Sequence, residues 1–90
     1  MEISFDEAKR QLTLEKRGLD FARAAEIFAG YELTLEDDRH AYGEIRFNTF
    51  GHLDSRLVAL TWTLRNGTRR IISLRKCNDR EQAWFRRILG

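Results

Sequence analysis

Ninety residues with a formal net charge of +2 hold one domain, and nothing in them approaches the ~18 apolar residues of a membrane span. A 42% hydrophobic and 11% aromatic content supplies a core, while the lone Cys77 excludes an internal disulfide or a cysteine metal quartet. Of the 16 basic residues 13 are arginine, whose planar fork matches phosphate or carboxylate oxygens in pairs; a polyanion or an acidic partner is expected, although a GC-rich genome produces the same bias.

The start, "MEISFDEAKR", carries an acid at its second position and no apolar run, which argues against a signal peptide and for a cytoplasmic protein. Residues 2–5 are short, apolar and β-prone, and read as a first strand. Asp6 offers a cap, Ala8 and Leu12 lie four apart and Gly18 is a stop, so a surface helix is expected over about 7–16. Asp20 is a second cap. Phe21, Ala24, Ala25 and Phe28 follow at helical spacing until Gly30, which completes an N-terminal helical pair joined by "RGLD".

After Gly30 the period changes from 3.6 to 2. "YELTLE" (31–36) alternates and "DDRHAYG" reads as a loop. A strand over about 43–50 follows, then a Gly-His-Leu-Asp-Ser turn, "RLVALTWTLR" (56–65), an Asn66-Gly67 hairpin turn and "TRRIISLRK" (68–76). Asn78 and Glu81 stand in capping-box spacing before a last helix with Trp84, Phe85, Ile88 and Leu89 as its stripe. The pattern predicts an α+β domain over residues 1–90, with a four-stranded antiparallel sheet and a C-terminal helix.

Side chains alternate across a strand, so parity sorts them. Val58, Leu60, Trp62 and Leu64 share one face with Ile45, Phe47, Ile72 and Leu74. If that apolar set faces the helices, the other face gathers Glu44, Arg46, Thr61, Thr63, Arg65, Ser73 and Arg75. A β-bulge would break this parity. Three arginines, one carboxylate and three hydroxyls suit metal-free RNA cleavage. Glu44 would take the 2′-hydroxyl proton, while Arg46, Arg65 and Arg75 would hold the phosphate and stabilise the phosphorane. His40, in the neighbouring loop, is the candidate proton donor. The bland alternative is a solvated sheet face with cross-strand ion pairs. Arg69 and Arg70 beside the turn, and Arg80, Arg86 and Arg87 on the last helix, are read as solvated. His52 is assigned to the turn, and Cys77 to packing. His40 and His52 have no cysteine or acidic cluster spaced around them, so no metal site and no cofactor are expected.

The segments "FDEAK" (5–9), "EKRGLDFARAAEIF" (15–28), "DDRHAYGEIR" (37–46), "TWTLR" (61–65) and "RIISLRK" (70–76) together resemble the BrnT toxin family, the ribonuclease half of BrnT–BrnA toxin–antitoxin systems, almost end to end. The resemblance implies a compact RelE-like fold, metal-independent RNA cleavage and inhibition of translation. It also implies a BrnA-like ribbon-helix-helix antitoxin, in a two-plus-two complex, through which alone operator DNA is bound. Arg39, Gly43, Glu44, Arg46, Arg65, Ser73 and Arg75 fall on motif positions. Glu44, Arg46, Arg65 and Arg75 become the catalytic candidates, and Lys16, Arg17, Arg39 and Ser73 the RNA-binding ones. The chain departs from the family with Phe5 for the common Trp, Thr13 for Asn, and Lys16-Arg17-Gly18 for Lys-His-Gly. The competing reading is a module that binds RNA or an acidic protein through its arginine face without cutting. A DNA-binding regulator ranks behind both, since no recognition-helix pattern is present.

Overall fold

The structure, a computed structural model, describes residues 1–39 and 41–90. Strand β1 (Ile3–Phe5) leads into helix α1 (Glu7–Arg17), which starts where the Asp6 carboxylate accepts from the Lys9 amide at 3.0 Å and ends at Gly18, with φ of 69°. No residue of α1 is fully buried, as its thin apolar stripe requires.

The expected second helix is split. Asp20 caps a 3-10 turn over Phe21–Arg23, and α2 runs only from Ala24 to Ala29. The Asp20 carboxylate accepts from the Ala22 amide and is also gripped by Arg10 of α1 at 2.8 Å, so the chain tightens before it becomes α-helical.

The described strands form a five-stranded mixed sheet in the order β1-β5-β4-β3-β2, which corrects the four-stranded antiparallel expectation. β2 spans Leu33–Asp37, β3 Arg46–Leu53, β4 Arg56–Arg65 and β5 Thr68–Lys76. β1 adds to β5 in parallel, and the rest is an antiparallel meander. Because β1 and β2 occupy opposite edges, the chain between them must cross the sheet, and α1 and α2 make that crossing.

Their face holds the main core. Leu19, Phe21, Ala24 and Ile27 pack on Val58, Leu60, Trp62, Ile71 and Leu74. The last helix, α3 (Asp79–Leu89), packs on the other face, where Phe85 and Trp84 cover Leu57, Ala59, Phe50 and Leu33. Its capping box is complete: Asn78 accepts from the Glu81 amide at 2.8 Å and Glu81 from the Asn78 amide at 2.9 Å. Cys77 is buried in this second cluster, and burial pushes its thiol up to about 11, so it is a packing residue.

Both ends of β3 differ from the pattern. β3 starts later than expected and runs through Gly51 and His52 to Leu53, so the turn is only Asp54-Ser55, both at positive φ (52° and 64°). Arg23 fastens that turn with a bidentate pair to Asp54 at 2.6 and 2.8 Å. His52 is therefore a strand residue, its ring edge-on to Phe85 at 5.5 Å. Asn66-Gly67 forms the expected hairpin, with φ of 53° and 74°.

A bulge interrupts β5. Thr61 pairs with Ser73 but Trp62 pairs with Ile71, leaving Ile72 without a partner. Alternation across Ile72 therefore flips: Ile71 joins Leu74 in the main core, where strict parity placed it opposite. The neighbouring arginines are not equally solvated either. Arg69 lies on the helix side, its guanidinium 3.9 Å from the Phe28 ring centroid and 5.0 Å from that of Trp62, whereas Arg70 faces the other way, across from Thr63.

Candidate functional site

Because α3 covers only the Leu57–Ala59 end of its face, the Thr61–Arg65 end of β4 stays open. Cross-strand register builds this face in rows, the third of which runs under α3. Arg46, Thr63 and Arg70 form one row; Asn48, Thr61 and Ser73 the next; Phe50, Ala59 and Arg75 the third. Glu44 stands just before β3, opposite Arg65. All seven residues sorted by parity to the polar face are on it.

Three of the four catalytic candidates meet. One Arg65 nitrogen donates to both Glu44 carboxylate oxygens at 3.1 and 3.2 Å, and Arg46 Nε donates to Glu44 Oε2 at 3.3 Å. Partial burial pushes the Glu44 carboxyl upward, but the hydrogen bonds from Arg65 and Arg46 outweigh it and hold the group below its ordinary value. Arg46 is itself stacked on Tyr42, 4.0 Å from the ring centroid. Thr63, almost fully buried, spends its hydroxyl on the Ile45 carbonyl at 2.6 Å, which ties the Glu44 segment to β4.

Arg75 is not in this cluster. Its row lies six residues from Arg65 along β4, about 20 Å of strand, so one phosphate cannot bridge them. Arg75 instead makes a bidentate pair with Glu81 of α3, both bonds 2.8 Å. Glu81, lowered to about 2 chiefly by Arg75, raises Arg75 in turn.

Of the RNA-binding candidates, Ser73 and Arg39 lie on this face, whereas Lys16 and Arg17 belong to α1 on the other side and come near it only at the β5 edge. Ser73 pairs with Thr61 in the middle row. Arg39 donates to Asp37 at 2.8 and 2.9 Å; the Asp37 carboxylate is nearly buried, and Arg39 holds it well below the usual carboxylate range against the pull of burial. Arg39 remains largely exposed, and its charge is felt at Arg75. Arg17 donates to the Leu74 carbonyl at 2.9 Å on the edge of β5 that β1 leaves uncovered. Lys16 beside it lines a hollow with Arg17, Ile72 and Ser73. His40 lies outside the described residues.

Sequence reasoning missed Tyr42 and Arg70 here. Tyr42 sits four residues before Arg46, in the stretch read as a loop. The signal for Arg70 was the bulge, which leaves no mark in the pattern of "RRIISLR". Among the described residues no group of three His, Cys, Asp or Glu side chains is placed to hold a metal ion. No helix is long and apolar enough to cross a membrane.

An open sheet face with a carboxylate between two guanidinium groups is chemistry suited to a phosphodiester. No curated protein matches the chain. The model of one protein family, described as the ribonuclease toxin BrnT of type II toxin–antitoxin systems, matches residues 5–81. That span holds every catalytic and RNA-binding candidate, and the chain belongs to the BrnT family of ribonuclease toxins.

Proposed function

We propose that this protein cuts RNA without a metal ion on the open face of its sheet, and so inhibits translation. The observation that carries the reading is the Glu44 carboxylate held between Arg46 and Arg65. An incoming phosphodiester offers both arginines a second anion. As they turn to it, Glu44 is released to accept the 2′-hydroxyl proton. The 2′-oxygen bonds to phosphorus, the guanidinium groups stabilise the added phosphorane charge, and the 5′-oxygen leaves with a proton taken from solvent. Arginine holds its own proton too tightly to be that donor. Ser73, Arg75 and Arg39 flank the path of the RNA strand on this face, and Lys16 and Arg17 meet it only where it passes the β5 edge.

A type II toxin of this family works against an antitoxin. In our reading this is a BrnA-like ribbon-helix-helix protein that masks the arginine face in a two-plus-two complex and alone contacts operator DNA.

The test is cleavage of RNA in EDTA by purified protein. Wild-type protein is expected to cut, leaving a 2′,3′-cyclic phosphate and a 5′-hydroxyl. Glu44→Gln and Arg65→Ala are each expected to lose roughly 10²–10³ in rate. Because the Glu44 carboxyl lies below its ordinary value, the acid limb of kcat/KM is expected below pH 4.5. Intact RNA leaves the non-catalytic binding module as the better account, and cutting by both variants at the wild-type rate removes Glu44 and Arg65 from the chemistry.

A further inference from the structure

The bulge at Ile72 places an arginine where simple alternation does not. Arg70 sits on the open face in the row of Arg46 and Thr63, two strands from Arg46, about 10 Å at ordinary strand spacing. On the other side it borders β1, where Ser4 is its register partner. Between them lies a cleft of about 350 Å³ with Arg65, Arg70, Ser4 and Thr68 in its walls. Glu44 and Arg46 are not among those walls, so the cleft adjoins the Glu44 cluster and shares only Arg65 with it.

Its chemistry is that of an anion site. Two guanidinium groups supply charge and forked donors, and two hydroxyls supply neutral donors. Arg46, Arg65 and Arg75 each hold a carboxylate, whereas Arg70 pairs with none among the described residues. An anion reaching Arg70 therefore displaces no existing ion pair. Glu2 stands on the rim and disfavours a second negative charge there, which sets a modest opposing term.

We propose that Arg70 and the Ser4–Thr68 cleft bind a second phosphate of the RNA strand, next to the one held by Arg46 and Arg65. The inference rests on the reading of the open face as the RNA site. It makes the toxin's grip depend on substrates with at least two phosphates. An acidic segment of a protein would meet the same donors, but it would not present a second charge at a fixed distance from the cleavage centre.

The experiment compares binding of 2′-O-methyl RNA, which cannot be cut, as a one-phosphate dinucleotide and as a longer oligonucleotide, over a range of salt. Arg70→Ala is expected to weaken the longer RNA about 5- to 10-fold and to lower the slope of log K against log[salt] by about 0.7, while changing dinucleotide binding less than about two-fold. Arg65→Ala is expected to weaken both. Arg70→Lys should restore the slope, and Glu2→Gln should tighten the longer RNA. Arg70 makes no ion pair among the described residues, so thermal unfolding of Arg70→Ala should match wild type, and a lost slope with unchanged melting supports the site. An unchanged slope overturns it. Equal weakening of both RNAs overturns it too, since Arg70 would then hold the scissile phosphate. So does preferential binding of an oligoglutamate peptide through Arg70. If unmodified RNA is never cut, the cleavage reading falls while the slope still decides the second-phosphate site.

Discussion

Substituting Glu81 by glutamine removes the charge that holds Arg75 while keeping a side chain able to reach the α3 N-terminus. Glu81 serves two partners at once: its carboxylate takes both Arg75 nitrogens at 2.8 Å and also the Asn78 amide at 2.9 Å. The Arg75 side chain is 45% exposed, so water screens the pair, and its loss costs about 0.5 kcal/mol. Loss of a negative charge from the first turn of α3 costs about 0.5 kcal/mol more. A total of ~1 kcal/mol corresponds to a fall in Tm of roughly 4–8 °C for a domain of this size. The freed Arg75 turns toward the open face, so RNA binding should strengthen by a few-fold and its salt slope steepen by about 0.7. pH adds a signed check. The folded-state carboxyl is lowered to about 2 from an ordinary 4.5, so its contribution is complete above pH 4.5 and disappears as pH falls toward 2. The gap in Tm between wild type and Glu81→Gln should therefore close across that window. A variant that melts lower and also binds RNA more weakly refutes the idea that Glu81 and phosphate compete for Arg75.

The Trp62 indole donates to the buried Thr49 hydroxyl at 2.8 Å, so Thr49→Val strands a buried N–H and should cost about 1–3 kcal/mol in urea unfolding; a midpoint equal to wild type would remove the bond's importance. Arg69 has its Nε buried without a hydrogen-bond partner while its guanidinium stacks on Phe28. Arg69→Met, which keeps the apolar contact and deletes the desolvated charge, should stay within about 1 kcal/mol of wild type, whereas Arg69→Ala loses the stack and about 1–2 kcal/mol. The reverse order would show that the charge itself stabilises the fold. A Cβ at Gly51 would meet Ile27 Cγ2 at 3.0 Å and Glu32 Cβ at 3.3 Å, so Gly51→Ala should destabilise by about 1–3 kcal/mol, and an unchanged Tm would mean that α2 shifts freely.

What the sequence made legible was local. The Asp6 and Asn78 caps, the Gly18 stop, the Asn66-Gly67 turn and the bounds of β4 and β5 each follow from chemistry within a few residues. Long-range pairing was not legible. Ile3–Phe5 is too short to declare a partner, and its parallel addition to β5 depends on how α1 and α2 cross the sheet. The Gly-His-Leu-Asp-Ser turn expected from the sequence is too long, because the two residues that make it, Asp54 and Ser55, carry no glycine signal for their positive φ; Arg23, distant in sequence, fastens it. Within the site, the Glu44–Arg46–Arg65 grouping was readable from alternation because β3 and β4 pair without interruption. Arg75 was readable as a face residue but not as a partner of Glu81, since that pairing needs the position of α3.

The bulge joins the two halves of the problem. Without it, strict alternation from Leu74 would carry Ile71 onto the open face and Arg70 into the main core. Ile72 would then take the place of Ile71 beside Trp62, and Arg70 would replace Arg69 on the helix side. One extra residue at Ile72 reverses both assignments at once, returning Ile71 to Trp62 and delivering Arg70 to the row of Arg46. The register shift at Ile72 is thus the physical reason that Arg70, rather than Arg69, stands on the open face. A substitution that removed the bulge would exchange Ile71 for Ile72 beside Trp62 and take Arg70 off the proposed RNA face in one step, because the same register shift sets both.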